Sequence, residues 1–240
     1  DLHAAADRGV EVRNAAGYST HSVMETTLGA VIALLLDWNL IGVQAAGAAG
    51  MKASIEAGHV VSLDTAKTIA DGIAVKKPGE LTFTLCSKYL DEIVTVDDDE
   101  IAQAILFLME RGKMVAEGAG AAPVAAIMNR KFDVSGKVAA VISGGNIDVT
   151  MISRIIEKGL LRAGRMTKLR ILMQDRPGQL EMASRIIAAE GANVMVVHHD
   201  RTDVDLDIRD AILEITMETQ DRKHAQRVID ALRASGFKVS

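Results

Sequence analysis

The apolar pattern of this 240-residue chain changes period near Lys168. Before that point, from Ile41 to Ile142, apolar runs end in glycine turns and lead into amphipathic helices, the rhythm of an open α/β sheet. After it, strands are expected at 169–173, 193–199, 211–218 and from Phe237 onward, with helices at 177–190, Pro177 in its first turn, and at 221–235. That order, β-α-β-β-α-β, is the ferredoxin-like split unit of α+β type. The expected domains are 39–165 and 166–240, behind a segment 1–38 of different pattern, with a linker around 159–167 that carries Arg162, Arg165 and two glycines.

The clearest helix of the first domain starts at Asp97. Asp97 and Glu100 form a capping-box pattern, and Ile101, Ala104, Ile105 and Leu108 follow at i, i+3, i+4 and i+7. It should end near Gly112. The run 137–142 reads as a buried strand that delivers Ser143 at its carboxyl end, where open α/β sheets place ligands. Ser143-Gly144-Gly145-Asn146 is then either a ligand turn or a strand-to-helix turn with Ser143 as N-cap. Glu117, in Ala116-Glu117-Gly118-Ala119-Gly120, is either a site carboxylate or an acid at a helix start. Gly72 lets backbone come close to a ligand or simply makes a turn.

Composition removes several classes of function. A net charge of -5 with no basic stripe argues against nucleic acid, whose binding needs Lys and Arg to neutralise phosphates. Cys86 is the single cysteine, so neither an intrachain disulfide nor a thiolate metal cluster can form, and a cytoplasmic location is expected. The longest apolar stretch, 30–36, is far short of the ~20 residues that span a bilayer, and no charged n-region precedes it. His198 and His199 are neighbours on an expected strand and so point to opposite faces, which argues against a shared metal ion.

Taken in order, Ile41-Gly42-Val43-Gln44, Thr68-Ile69-Ala70-Asp71-Gly72, Glu117-Gly118-Ala119-Gly120-Ala121, Ser143-Gly144-Gly145-Asn146 and Asp175-Arg176-Pro177-Gly178 resemble catabolic-type threonine ammonia-lyase (threonine dehydratase). This is a family of fold-type II pyridoxal-phosphate enzymes, here with a C-terminal ACT domain, and the resemblance covers about 39–240. It implies conversion of L-threonine to 2-oxobutanoate and ammonia, with pyridoxal phosphate as cofactor. It also implies that Ser143, Gly144, Gly145, Asn146, Glu117 and Gly72 face the cofactor, Ser143 bonding the pyridine nitrogen. In the ACT-like part it implies that Gly178 and Asn193 face a small amino-acid effector, isoleucine, valine or threonine, at a homo-oligomer interface.

The resemblance also marks departures. The family's Schiff-base lysine, in a Ser-x-Lys context, and its Gly-rich phosphate loop lie upstream of the equivalent of Ile41, and no counterpart is visible in this sequence; Lys76 and Lys77 read as solvated loop charges. The chain alone is therefore expected to be inactive. Some relatives hold a cation through carboxylates where this chain has Gln44 and Gly50, so no metal site is expected. In 1–37, Asn14-Ala15-Ala16-Gly17-Tyr18-Ser19-Thr20 is similar to D-2-hydroxyacid dehydrogenases, yet Thr26 stands where that family has His, and no dinucleotide-binding glycine pattern follows. The two resemblances meet near Asp37-Trp38-Asn39, as in a natural fusion, an engineered joint or an assembly artefact. The alternative function, from another class, is a non-catalytic amino-acid-binding ACT module attached to a remnant domain.

Overall fold

Parallel pairing of β1 (Ile41–Ala45) with β2 (Glu92–Val96) is the nucleus of the first of two compact units, which divide at Asp148/Val149. The computed structural model describes residues 39–202 and 206–240. The dehydrogenase-like segment and its joint up to Trp38 lie outside the described residues.

Helices α1 (Gly50–Ala57) and α2 (Glu80–Tyr89) connect the two strands, and α3 (Asp98–Phe107) follows β2. The expected capping box is present: Asp97 Oδ1 accepts from the Glu100 backbone N–H at 2.8 Å, and Glu100 Oε2 accepts from that of Asp97 at 2.9 Å. Ile101, Ala104, Ile105 and Leu108 are all buried, as their spacing predicts. A single π-type turn, Leu108–Gly112, closes the helix. Next comes α4 (Gly118–Met128), rich in glycine and alanine with one internal proline, whose small side chains let it pack closely against α3, β1 and β2.

One expectation fails in this unit. Residues 137–142 are neither a ladder strand nor buried; Val138, Val141 and Ile142 are 43%, 48% and 38% exposed. An apolar run becomes a buried strand only when neighbouring strands accept its N–H and C=O groups and cover its faces, and the sheet described here has two strands, neither beside it. Limited proteolysis is therefore expected to cut within 134–148 before it cuts within 166–200, with fragments read by mass spectrometry. Equal resistance of the two stretches would show that other contacts protect this run.

The second compact unit opens with α5 (Val149–Ala163). The supposed linker at 159–167 is mostly the end of this helix and the start of β3 (Met166–Gln174), leaving only Gly164 and Arg165 between them. Helix α6 (Gln179–Ala189), β4 (Asn193–Asp200), β5 (Asp210–Glu218), α7 (Arg222–Ala234) and β6 (Lys238–Val239) complete the unit. Pro177 is not inside α6; the cap is Gly178, at φ +90°, a conformation that side chains with a Cβ rarely adopt. The strand order β4-β5-β3-β6, antiparallel throughout, is the ferredoxin-like arrangement. Leu169, Ile171 and Met173 of β3 and Leu213, Ile215 and Met217 of β5 form one core with Ala183 and Ile187 of α6 and Val228 and Leu232 of α7. The other face is mixed: Arg170 pairs Glu214 at 3.1 Å, beside the cross-strand pair Leu172 and Ile212.

His224 ties the two helices together. It is 2% exposed; its Nδ1 accepts from the Gln220 backbone N–H at 3.1 Å, which leaves Nε2–H to donate to Glu190 O at 2.8 Å. His224→Ala loses both bonds and leaves a void, so a destabilisation of about 2–4 kcal/mol is expected in chemical denaturation. A loss under about 1 kcal/mol would mean that water replaces the ring. The Asp221 carboxylate that caps α7 is held below its ordinary value of 3.8, chiefly by the His224 backbone N–H. That cap contributes above the ordinary carboxyl value and is lost as pH falls through the depressed one.

Candidate functional site

At its N-terminus α4 meets the turn 143–146, although the two are far apart in sequence. Glu117, the N-cap of α4, donates its backbone N–H to Gly144 O at 3.1 Å. Three residues on, a Cβ at Gly120 would stand 1.6 Å from Ser143 O, so only glycine permits this approach. Gly144 has φ +66°, and a Cβ there would strike the Glu117 carboxylate at 2.4 Å. Gly72 closes the corner, its Cβ position lying 3.4 Å from Glu117 Oε1. A Cβ at Gly118 would lie 2.7 Å from Ala70 Cα, so α4 rests directly on the backbone that leads into Gly72.

Glu117 and Gly144 of this corner border a cavity of about 660 Å³. Glu117, Gly144, Gly145 and Asn146 give it polar edges; Met114, Val115 and Ile142 give it apolar ones. Of the residues expected from the sequence, Glu117, Gly144, Gly145 and Asn146 line the cavity and Gly72 abuts Glu117. Ser143 sits behind them, its backbone against Gly120. The bland alternative for Ser143 loses its basis, because the next helix begins only at Val149. Sequence reading missed Met114, Val115 and the packing role of Gly118 and Gly120, for which the i, i+2 glycine spacing was the available signal.

A flat aromatic group fits this arrangement. Glycines remove the side chains that would keep a ring away from the backbone, the apolar edges cover its faces, and a carboxylate and an amide stand at the rim. No residue lining the cavity is a lysine. The Gln44 side chain, at one of the two supposed cation positions, accepts from the Lys52 backbone N–H at 2.8 Å and so caps α1, while Gly50 is the first residue of that helix. Among the described residues no group of three His, Cys, Asp or Glu could hold a metal ion, and no helix is long and apolar enough to cross a membrane. Burial pushes the Cys86 thiol above its ordinary value.

In the second unit the two effector candidates do not meet within one chain. Gly178 follows Gln174, which pairs with Asp210, whereas Asn193 pairs with Glu218 at the far end of the same strand, roughly 26 Å away. Asn193 Nδ2 donates to Glu218 Oε2 at 3.0 Å, and the space around Gly178 is open. The turn before Gly178 is fixed by Asp175, whose N–H bonds Arg209 O at 2.8 Å and whose carboxylate pairs with Arg201 at 3.1 Å. His198 and His199 face opposite sides of β4, opposite Glu214 and Leu213 respectively.

Residues 17–144 match the family described as pyridoxal-phosphate dependent enzyme, a match that begins inside the dehydrogenase-like segment. The L-threonine ammonia-lyase of Thermotoga maritima is 51% identical over 201 residues, 83% of this chain and 50% of that protein. The catabolic L-threonine dehydratase TdcB of Escherichia coli is 41% identical over 119 residues, 48% of this chain and 36% of that one. The chain thus spans about half the length, or less, of these curated relatives. Among solved structures, the processed form of threonine deaminase isoform 2 from Solanum lycopersicum matches with a TM-score of 0.50 and 30% identity, covering 56% of this chain and 40% of that one.

Proposed function

The chain belongs to the pyridoxal-phosphate dependent enzyme family, and from that premise we propose that it is the C-terminal half of a catabolic-type threonine ammonia-lyase: one wall of the cofactor site joined to an amino-acid-sensing ACT domain. The observation that carries this reading is the convergence of Glu117, backed by Gly72, and the 144–146 turn on one cavity. Pyridoxal phosphate, when bound, supplies the electron sink that labilises the Cα proton of an amino-acid substrate. The chain's own part is to hold the ring. Ser143, just behind the 144–146 turn, would offer its Oγ to the ring nitrogen as a neutral partner; Glu117 would order the rim; and the glycine backbone would admit a flat group. In the whole lyase this wall would serve the conversion of L-threonine to 2-oxobutanoate and ammonia. Titration of the chain with pyridoxal phosphate, followed by induced circular dichroism, tests the reading. Saturable binding weakened at least about 5-fold by Ser143→Ala is expected; no binding at millimolar cofactor would defeat it.

The ACT role rests on the ferredoxin-like order and on β4, an edge strand with Met195, Val196 and Val197 47%, 58% and 40% exposed. Two-fold antiparallel pairing of β4 edges would bring Asn193 of one copy to the Asp200 end of the other, beside its Gly178 turn. The α6 N-terminus there offers backbone N–H groups to an amino-acid carboxylate. Residues 149–240 should form a concentration-dependent dimer that Val196→Lys disrupts. Isoleucine, valine or threonine should raise its stability, by about 2.7 kcal/mol at 100 times the dissociation constant. Gly178→Val, which also strains a turn held at φ +90°, should abolish that rise in a chain whose far-ultraviolet circular dichroism still matches the parent's. A monomer whose melting temperature ignores all three amino acids would remove the sensing role. Amino-acid binding without any cofactor binding would instead favour the non-catalytic module.

A further inference from the structure

We infer that Asp98, which lies outside the cavity, is a positioning residue for its wall: through Thr68 it holds the turn 68–72 on which the start of α4 rests. The inference depends on the reading of this cavity as the cofactor-ring site.

Asp98 is the first residue of α3, but the cap of that helix is already made by Asp97 and Glu100. Its carboxylate is therefore not needed there and reaches a different segment. Asp98 Oδ1 accepts from Thr68 Oγ1 at 2.5 Å and from the Ile69 backbone N–H at 3.2 Å. Thr68 Oγ1 in turn accepts from the Ala70 backbone N–H at 3.1 Å. Two consecutive backbone donors are thus fixed by one side-chain oxygen and the hydroxyl it orients.

Those donors belong to the backbone that supports the site. Ala70 is fully buried, and a Cβ at Gly118 would meet Ala70 Cα and Ile69 O, each at 2.7 Å. The Ile73 backbone N–H bonds Ala70 O at 3.1 Å, which carries the turn on to Gly72 beside Glu117. Glu100, two residues beyond Asp98, pairs through Oε1 with Lys131 Nζ at 2.7 Å, just past the end of α4. The first turn of α3 therefore grips α4 at both ends, and α4 carries Glu117 at one terminus and Gly120 against Ser143. A shift of the 68–72 turn would be passed directly to the Glu117–Gly144 contact, because the interface is backbone against backbone and has no side chain that can yield.

Three variants of the whole chain test this, Asp98→Ala, Asp98→Asn and Thr68→Val, by backbone amide exchange and by pyridoxal-phosphate titration. Asp98→Ala is expected to speed exchange about 10-fold at Ile69, Ala70 and Glu117, whose N–H reports the bond to Gly144, and to weaken cofactor binding by a similar factor. Asp98→Asn keeps an acceptor oxygen and should return both readouts to within about 2-fold of the parent, which a purely charge-based or global stability effect would not do. Thr68→Val should match Asp98→Ala at Ala70 and Glu117 but spare Ile69, which keeps its direct bond to Asp98, and the amides within α3 should be unchanged in all three. Unchanged exchange at Ile69, Ala70 and Glu117 in Asp98→Ala overturns the inference, as does altered exchange with unaltered cofactor affinity. If the parent chain binds no cofactor, the reading of the cavity fails and with it the assignment of Asp98 toward a cofactor, whereas the exchange data alone show whether the bracket exists.

Discussion

Gly120→Ala is expected to open the wall of the site, costing about 3 kcal/mol locally, at the upper end for overpacking a buried position. The added methyl would stand 1.6 Å from the Ser143 carbonyl oxygen, and the nearest atoms are all backbone, so relief requires moving either α4 or the 143–146 turn. Neither can move alone, since Glu117 N–H bonds Gly144 O and Gly118 rests on Ala70. Amide exchange at 116–121 should rise roughly 100-fold, the equivalent of that free energy, while 166–240 stays as it was. Cofactor binding should vanish with it. Exchange within about 3-fold of the parent would mean that the turn swings aside freely and that the packing does not define the site.

The 240-residue chain by itself is expected to show no threonine turnover, a deficit on the order of 10⁶-fold against an intact lyase, by analogy with removal of a catalytic nucleophile. The cavity is lined by one carboxylate, one amide, glycines and apolar side chains, with no amine. The first lysine in the sequence is Lys52, in α1, and Lys113, next to the cavity residue Met114, has its Nζ on Glu110 O at 2.8 Å. Assay of 2-oxobutanoate from purified chain, pyridoxal phosphate and L-threonine decides the point. Turnover abolished by borohydride reduction would overturn it and would place a competent lysine within these residues.

Much of the architecture was legible because it is local. Asp97 to Leu108 announces a capped amphipathic helix in its own spelling, and the structure forms it with the same cap and buried face. The alternation through 166–174 and 210–218 fixes which side chains enter the core of the second unit, and its element order fixes the ferredoxin-like topology. Periodicities of two and of 3.6 depend only on neighbouring residues, so a sequence carries them openly.

What the tertiary structure decided depends on groups distant along the chain. Residues 137–142 read as a buried strand from their apolar content, yet burial needs neighbouring strands, and none lies beside them. Gly178 and Asn193 are expected at a homo-oligomer interface from their motifs alone; the register of β3, β4 and β5 sets them at opposite ends of the sheet, so within one chain they stay apart and only a second copy could join them. The cavity exists because Gly120 meets Ser143 and Glu117 meets Gly144 across more than twenty residues of chain. Side-chain type and spacing named the candidate residues by themselves; only the close packing of backbone on backbone, which no local pattern encodes, determined which of them face one another.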